Sequence, residues 1–433
     1  MANVSVSSPS QSFGGTSGSY KGPLAVVTTL FFMWGFLTCL NDILVPHLKS
    51  IFDLNYAEVM LVQFAFFGAY FVFSIPSAKI IDWIGYQRSM VAGLLTMGLG
   101  AFLFVPAASV PSFPLFLGAL IVLAAGITCL QVAANPYVTV LGKPETASSR
   151  LNLTQAFNSL GTFLAPFFGG LLILSAAPKA MNEIRALAPD ALQAYRLHEA
   201  ATVKTPYVGL AITLVLLAIA IGSFKLPKIE HAQHKVGEKV NDSIWKHANL
   251  VFGAIGIFVY VGAEVSIGSF LVNYFSQPEI GGLTERVAAS FVAFYWGGAM
   301  VGRFIGSGLL QKVSTRRLLG ICAVCAAGLV ATSMMTAGHF AMWSIILVGF
   351  FNSIMFPSIF TLGVAELGPL TGDGSGILIM AIVGGAIIPV TQGWIADRIG
   401  IHHAFFLPVV CYLYILFYAM SGSAPNSERY AKS

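Results

Sequence analysis

Two carboxylates stand where an apolar chain does not ordinarily carry them. Asp42 lies inside the run Leu24 to Leu48, which reads LAVVTTLFFMWGFLTCLNDILVPHL, and Glu264 lies inside a second run over 248–276. About 20 apolar residues suffice to cross a bilayer as a helix. A carboxylate within such a helix costs roughly 2.5 to 3.5 kcal/mol on insertion scales, so it normally faces a cavity or a partner. The plain reading of Asp42 is a snorkelling or helix-packing group near an interface. The sharper reading is a proton or cation site, favoured because more polar residues recur at similar depth.

Those residues are mostly amides. Thr38 and Asn41 precede Asp42, Gln63 follows in the second run, and Gln131 and Asn135 lie in the fourth. Asn152, Gln155 and Asn158 recur at three-residue spacing in the fifth, broadly along one helix face. Asn273 accompanies Glu264 in the seventh run, and Asn352 lies in the tenth. An amide offers donors and acceptors together, which is what neighbouring hydroxyls of a sugar require. Phe67, Tyr70, Tyr260, Tyr295 and Trp296 suit the apolar face of such a ring. Any one amide reads equally well as a bond between membrane helices; the whole set points to a polar cavity. The binding candidates are Asn41, Gln63, Gln131, Asn135, Gln155, Asn158, Tyr260, Trp296 and Asn352. Asp42 and Glu264 are the coupling candidates, and the pair that would hold Na⁺ if the ion is a metal.

The elements that must position these residues follow from composition. The chain of 433 residues is 56% hydrophobic and 9% charged, with mean hydropathy +0.80. A soluble domain carries about 25% charged residues, so this is an all-α integral membrane protein. Apolar runs fall near 24–48, 58–81, 88–106, 112–141, 150–175 and 206–224, then 248–276, 286–310, 316–337, 340–365, 374–396 and 402–421. Twelve transmembrane helices in two pseudo-symmetric six-helix bundles result. Residues 1–20 read as a disordered tail without a signal peptide. Residues 21–225 form the first bundle, 226–247 a basic cytoplasmic linker, 248–421 the second bundle and 422–433 a C-terminal tail. A polar segment over 176–205 separates the fifth and sixth runs, and His402 and His403 fall in a short outer loop.

Alternate loops hold most of the Lys and Arg, among them Lys225, Lys228, Lys235, Arg316 and Arg317, which places both termini in the cytoplasm. Arg303 is left within a span. The net charge of +5 reports this orientation and not nucleic-acid binding. All five cysteines fall in apolar runs, and Cys322 with Cys325 reads as a packing pair. No nucleophile triad, phosphate loop or zinc spacing appears, so an embedded enzyme and a cofactor are not expected.

The two halves also resemble each other. Asn135-Pro-Tyr-Val-Thr-Val-Leu-Gly142 answers Phe356-Pro-Ser-Ile-Phe-Thr-Leu-Gly363, and Gly161-Thr-Phe-Leu-Ala-Pro166 answers Gly384-Gly-Ala-Ile-Ile-Pro389. The offsets are 221 and 223 residues. Duplicated halves place a substrate site at their interface near mid-membrane.

At Phe32-Met-Trp-Gly-Phe, Leu40-Asn-Asp-Ile-Leu, Cys129-Leu-Gln-Val-Ala-Ala-Asn-Pro, Arg150-Leu-Asn-Leu-Thr-Gln-Ala-Phe-Asn-Ser-Leu-Gly161 and Tyr260-Val-Gly-Ala-Glu264, the chain resembles the major facilitator superfamily. Within it, the chain is similar to the fucose:proton symporter family, over about residues 24 to 421. The resemblance implies uptake of a sugar coupled to a cation, and it is nearest the glucose/galactose and N-acetylglucosamine branch. The superfamily's gate motif survives in part as Ala78-Lys-Ile-Ile-Asp82-Trp-Ile-Gly85-Tyr-Gln-Arg88, which makes Asp82 and Arg88 gate candidates. Fucose permeases carry Glu at the place of Gln131 and Gln at the place of Glu264, so here the second charge crosses to the other half. Two carboxylates amid amide oxygens suit Na⁺, and the balance leans slightly that way over H⁺. The expectation is a monomeric symporter of a bacterial inner membrane; a sugar sensor and an uncoupled facilitator are the alternatives.

Overall fold

Backbone groups in hydrocarbon must satisfy one another, which leaves the helix as the local solution for each apolar run. The computed structural model describes residues 20–52, 56–110, 112–172, 187–202, 204–229 and 242–424, with side chains described outside 38, 40–60, 166–172, 196 and 199–202. Span one is Lys21–Phe52. A single helical stretch, Tyr56–Ser109, holds spans two and three, and Gly85 breaks it with φ 82° and ψ 167°. That left-handed backbone suits glycine. Span four is Phe113–Val140, span five Ala147–Leu172 and span six Lys204–Ser223. Span seven is Ala248–Phe275, span eight Glu285–Leu309 and span nine Thr315–Met335.

Span ten is two pieces, Gly338–Asn352 and Met355–Gly363. Span eleven joins Thr371–Met380 to Gly384–Ile399 through one 3₁₀ turn, and span twelve runs from Ile401 to a π turn ending at Gly422. The polar segment after span five contains a fourteen-residue helix, Pro189–Thr202, which no apolar run announces. His402 likewise sits in a short helix, Ile401–Ala404, and not in a loop. Its ring lies 2.6 Å from the Met334 carbonyl and 3.2 Å from the Tyr274 hydroxyl, which gives it a packing role.

The internal repeat is expressed as packing. Gly161 of span five lies so close to span one that a Cβ there would stand 2.2 Å from the Phe32 carbonyl oxygen. Gly384 of span eleven does the same to span seven, at 2.0 Å from the Phe258 carbonyl oxygen. Close approach of this kind is what small residues permit between membrane helices.

The repeated prolines act in parallel too. A proline has no N–H, so the carbonyl four residues earlier loses its helical partner. Pro136 thereby releases the Val132 carbonyl, which accepts from Ser375 Oγ at 2.8 Å. Pro357 releases the Ser353 carbonyl, which accepts from Arg303 Nε at 3.3 Å.

Candidate functional site

Spans one, two, four and five carry the amides of the first half. Gln131 and Asn135 are one turn apart on span four, so they share a face. Both are buried. Gln131 Nε2 donates to the Tyr70 hydroxyl of span two at 2.7 Å, and the Trp34 indole stands on the same hydroxyl. Gln131 Oε1, both amide atoms of Asn135 and Nε2 of Gln155 are buried without a hydrogen-bond partner among the described residues. Such groups are costly to leave dry, and they are the features a polyhydroxyl ligand would satisfy. Asn158 differs from its neighbours. Its Nδ2 donates to the Phe31 carbonyl at 2.9 Å, so it joins span five to span one. Gln63 is half-buried. Asn41 and Asp42 lie on the helical backbone of span one, and their side chains fall outside the described residues.

The second half contributes a tighter cluster. Glu264 is buried in span seven, and Arg303 Nη2 of span eight lies 3.8 Å from its Oε1. The sequence reading left Arg303 without a role; its one signal was a cation inside an apolar run. Tyr260, one turn before Glu264, donates to the Asn352 carbonyl at 3.1 Å and stands against the Glu264 carboxylate. Asn352 Nδ2 donates to the Tyr295 hydroxyl at 2.9 Å, and Tyr295 donates to the Glu264 carbonyl at 3.2 Å. Glu264, Tyr260 and Asn352 are thus brought together, with Arg303 and Tyr295 added. Trp296 is set apart: it is 41% exposed, with its ring packed over Gly268. Among the described residues no group of three or more His, Cys, Asp or Glu could hold a metal ion.

The halves meet on the face where span six ends and span seven begins, the side of the 226–247 linker. Ser148 Oγ of span five lies 2.7 Å from Thr361 Oγ1 of span ten, and Thr315 Oγ1 of span nine donates to it at 2.9 Å. Further along span five, Ser149 donates to the Ser307 carbonyl at 2.6 Å and Asn152 to the Arg303 carbonyl at 2.7 Å. Arg303 Nη1 returns a bond to Ser159 Oγ. Residues 148 to 159 span about 16 Å at 1.5 Å per residue, so the contact runs deep.

Across the bundle, span eleven closes on spans two and four. Lys79 Nζ reaches Asp373 Oδ1 at 2.7 Å and Asp82 Oδ2 at 3.7 Å. Asp82 therefore joins the contact between the halves through Lys79, which sequence reasoning passed over, while Arg88 is exposed.

The comparisons agree with this architecture. A family model described as the Major Facilitator Superfamily matches residues 26–382. A glucose/galactose transporter of Brucella abortus is 54% identical over 405 residues, covering 94% of this chain and 95% of the relative. The L-fucose-proton symporter of Escherichia coli K12 is 35% identical and covers 94% of each. A crystal structure of the fucose transporter in the outward conformation superposes with a TM-score of 0.87 at 33% identity, over 94% of this chain and 99% of that one.

Proposed function

The chain belongs to the major facilitator superfamily, a family of membrane transporters and not of enzymes, and on that premise we propose that it is a proton-coupled symporter importing glucose or galactose by alternating access. The observation that carries the sugar reading is the set of buried amide atoms on Gln131, Asn135 and Gln155 that have no hydrogen-bond partner among the described residues. Hydroxyls of a hexose match them in donor–acceptor character. The name of the Brucella relative supports a hexose over N-acetylglucosamine.

The geometry supports H⁺ in this reading over Na⁺, toward which the residue types lean. The Glu264 carboxylate already faces a guanidinium at 3.8 Å, so a metal cation there would meet the Arg303 charge. Asp42 then carries the coupling, by being protonated only while one gate is open. The name of the fucose-proton relative supports the same ion. Contact between the halves on the linker side is that of a state closed toward the cytoplasm, if both termini lie in the cytoplasm of a bacterial inner membrane as this reading has them. The working unit in this reading is a monomer.

Counterflow of labelled hexose in proteoliposomes tests the reading. Exchange without a gradient, and accumulation driven by an acid-outside gradient with Na⁺ replaced by choline, are the expected results. Binding without exchange would make the protein a sensor, and exchange that no ion gradient can drive would make it a facilitator. Preference for N-acetylglucosamine over glucose and galactose would move the substrate.

A further inference from the structure

We propose that Arg303 is the positioning residue of an exchange latch, held by span five when the halves touch on the linker side and by Glu264 when they part. The proposal rests on the alternating-access reading and adds what holds and releases the closed face.

Arg303 divides its donors between the two halves. Nη1 bonds Ser159 Oγ of the first half, while Nε bonds the proline-freed Ser353 carbonyl of the second. Its backbone carbonyl accepts from Asn152, again of the first half. The Glu264 carboxylate waits at 3.8 Å, beyond hydrogen-bond reach, and its Oε1 has no hydrogen-bond partner. An ion pair held just out of bonding distance in a buried setting has an unused interaction to gain. Parting of the halves on this face removes Ser159 and Asn152 from Arg303. The partners left in its own half are the Ser353 carbonyl and Glu264, so the guanidinium closes onto the carboxylate. Each state then has its own contacts, as a two-state element requires.

The latch also connects to the candidate binding helix. Ser159 follows Asn158 directly and donates to the carbonyl of Gln155 at 3.2 Å. A ligand that moves Gln155 moves the anchor of Arg303. Glu264 is on this view a resting place for an arginine charge, and not an ion-binding carboxylate.

The test is the rate of disulfide formation between Ser148→Cys and Thr361→Cys, whose native side chains touch at 2.7 Å on the closed face. Singly substituted proteins control for the five native cysteines. Ser159→Ala releases Arg303 toward Glu264, and the rate should fall about threefold, the effect of losing one net hydrogen bond. Glu264→Gln removes the resting place, and the rate should rise, by at most a similar factor because the closed fraction cannot exceed one. In an Arg303→Gln background, Glu264→Gln should change nothing further, because the two residues act as one unit.

An unchanged or lower rate for Glu264→Gln, or the same rise without Arg303, overturns the latch. Should Arg303→Gln fail to fold, the opposite signs of the other two variants still decide the matter. This readout needs neither sugar nor gradient. A protein that fails counterflow but shows the pattern loses the symport reading and keeps the latch, and the converse result does the reverse.

Discussion

Replacement of Asn135 by leucine should raise stability and destroy sugar binding together. Asn135 is fully buried, and neither its Nδ2 nor its Oδ1 has a hydrogen-bond partner among the described residues. A buried polar group left unsatisfied costs about 1–3 kcal/mol, and an apolar residue of similar shape removes that cost. The sugar-free Asn135→Leu protein should therefore gain about 1 kcal/mol or more. The bound state suffers the reverse: a sugar hydroxyl buried against leucine loses its partner, which corresponds to binding roughly 10- to 100-fold weaker. Thermal unfolding in detergent, with and without glucose or galactose, reads both effects. The wild type should melt higher as sugar is added, because a ligand of the folded state stabilises it by mass action. The variant should start higher and not respond. Thr213→Val, on the exposed side of span six, should alter neither quantity. A variant that melts below the wild type while still responding to sugar would refute the assignment of Asn135 to the ligand.

Gly161→Ala and Gly384→Ala should each destabilise by about 1–3 kcal/mol, because their new methyls meet backbone oxygens that cannot move without separating two spans. Gly209→Ala, with nothing within 4 Å, should be neutral or slightly stabilising in the same melting assay. Asp42→Asn should abolish accumulation against a gradient yet leave counterflow partly intact, and full accumulation by that variant would remove Asp42 from coupling. Lys79→Ala should change stability by less than about 1 kcal/mol, since the lysine of the Lys79–Asp373 pair is 59% exposed. A larger loss in melting would mean that this pair, and not span five, holds the linker-side face.

Run length and the Gly/Pro markers made the twelve spans legible in the sequence. The repeat was legible too, since the Gly161 and Gly384 motifs pack against corresponding spans of their own halves. Partner choice was not. Spans surrounded by lipid and by other spans are apolar all round, so periodicity tells how deep a residue lies but not which neighbour it meets. Asn158 could be given a depth but not its bond to the Phe31 carbonyl, and Arg303 could be seen as anomalous without Glu264 and Ser159 being seen beside it. Lys79 and Asp373 are 294 residues apart, and nothing local to either announces the other.

The proline-freed carbonyls explain how a fold built by duplication acquires a contact that can be exchanged. Neighbouring spans re-satisfy a carbonyl that a proline releases, so the break is tolerated within the membrane. In the first half, the Val132 carbonyl is taken directly by Ser375 of the second. In the second half, the Ser353 carbonyl is taken by Nε of Arg303, whose Nη1 crosses back to Ser159. Both breaks therefore serve the same closed face, one through a hydroxyl and one through a charge. Neutral bonds like the first contribute only about 0.5–1.5 kcal/mol net, because water replaces them when the halves part. The charged bond is different: a hydrogen bond made by a charged donor is worth about 1.5–3 kcal/mol, so its loss on opening costs more than that of a neutral one. A second partner for Arg303 within its own half offsets that loss on opening, and Glu264 at 3.8 Å is placed to be that partner.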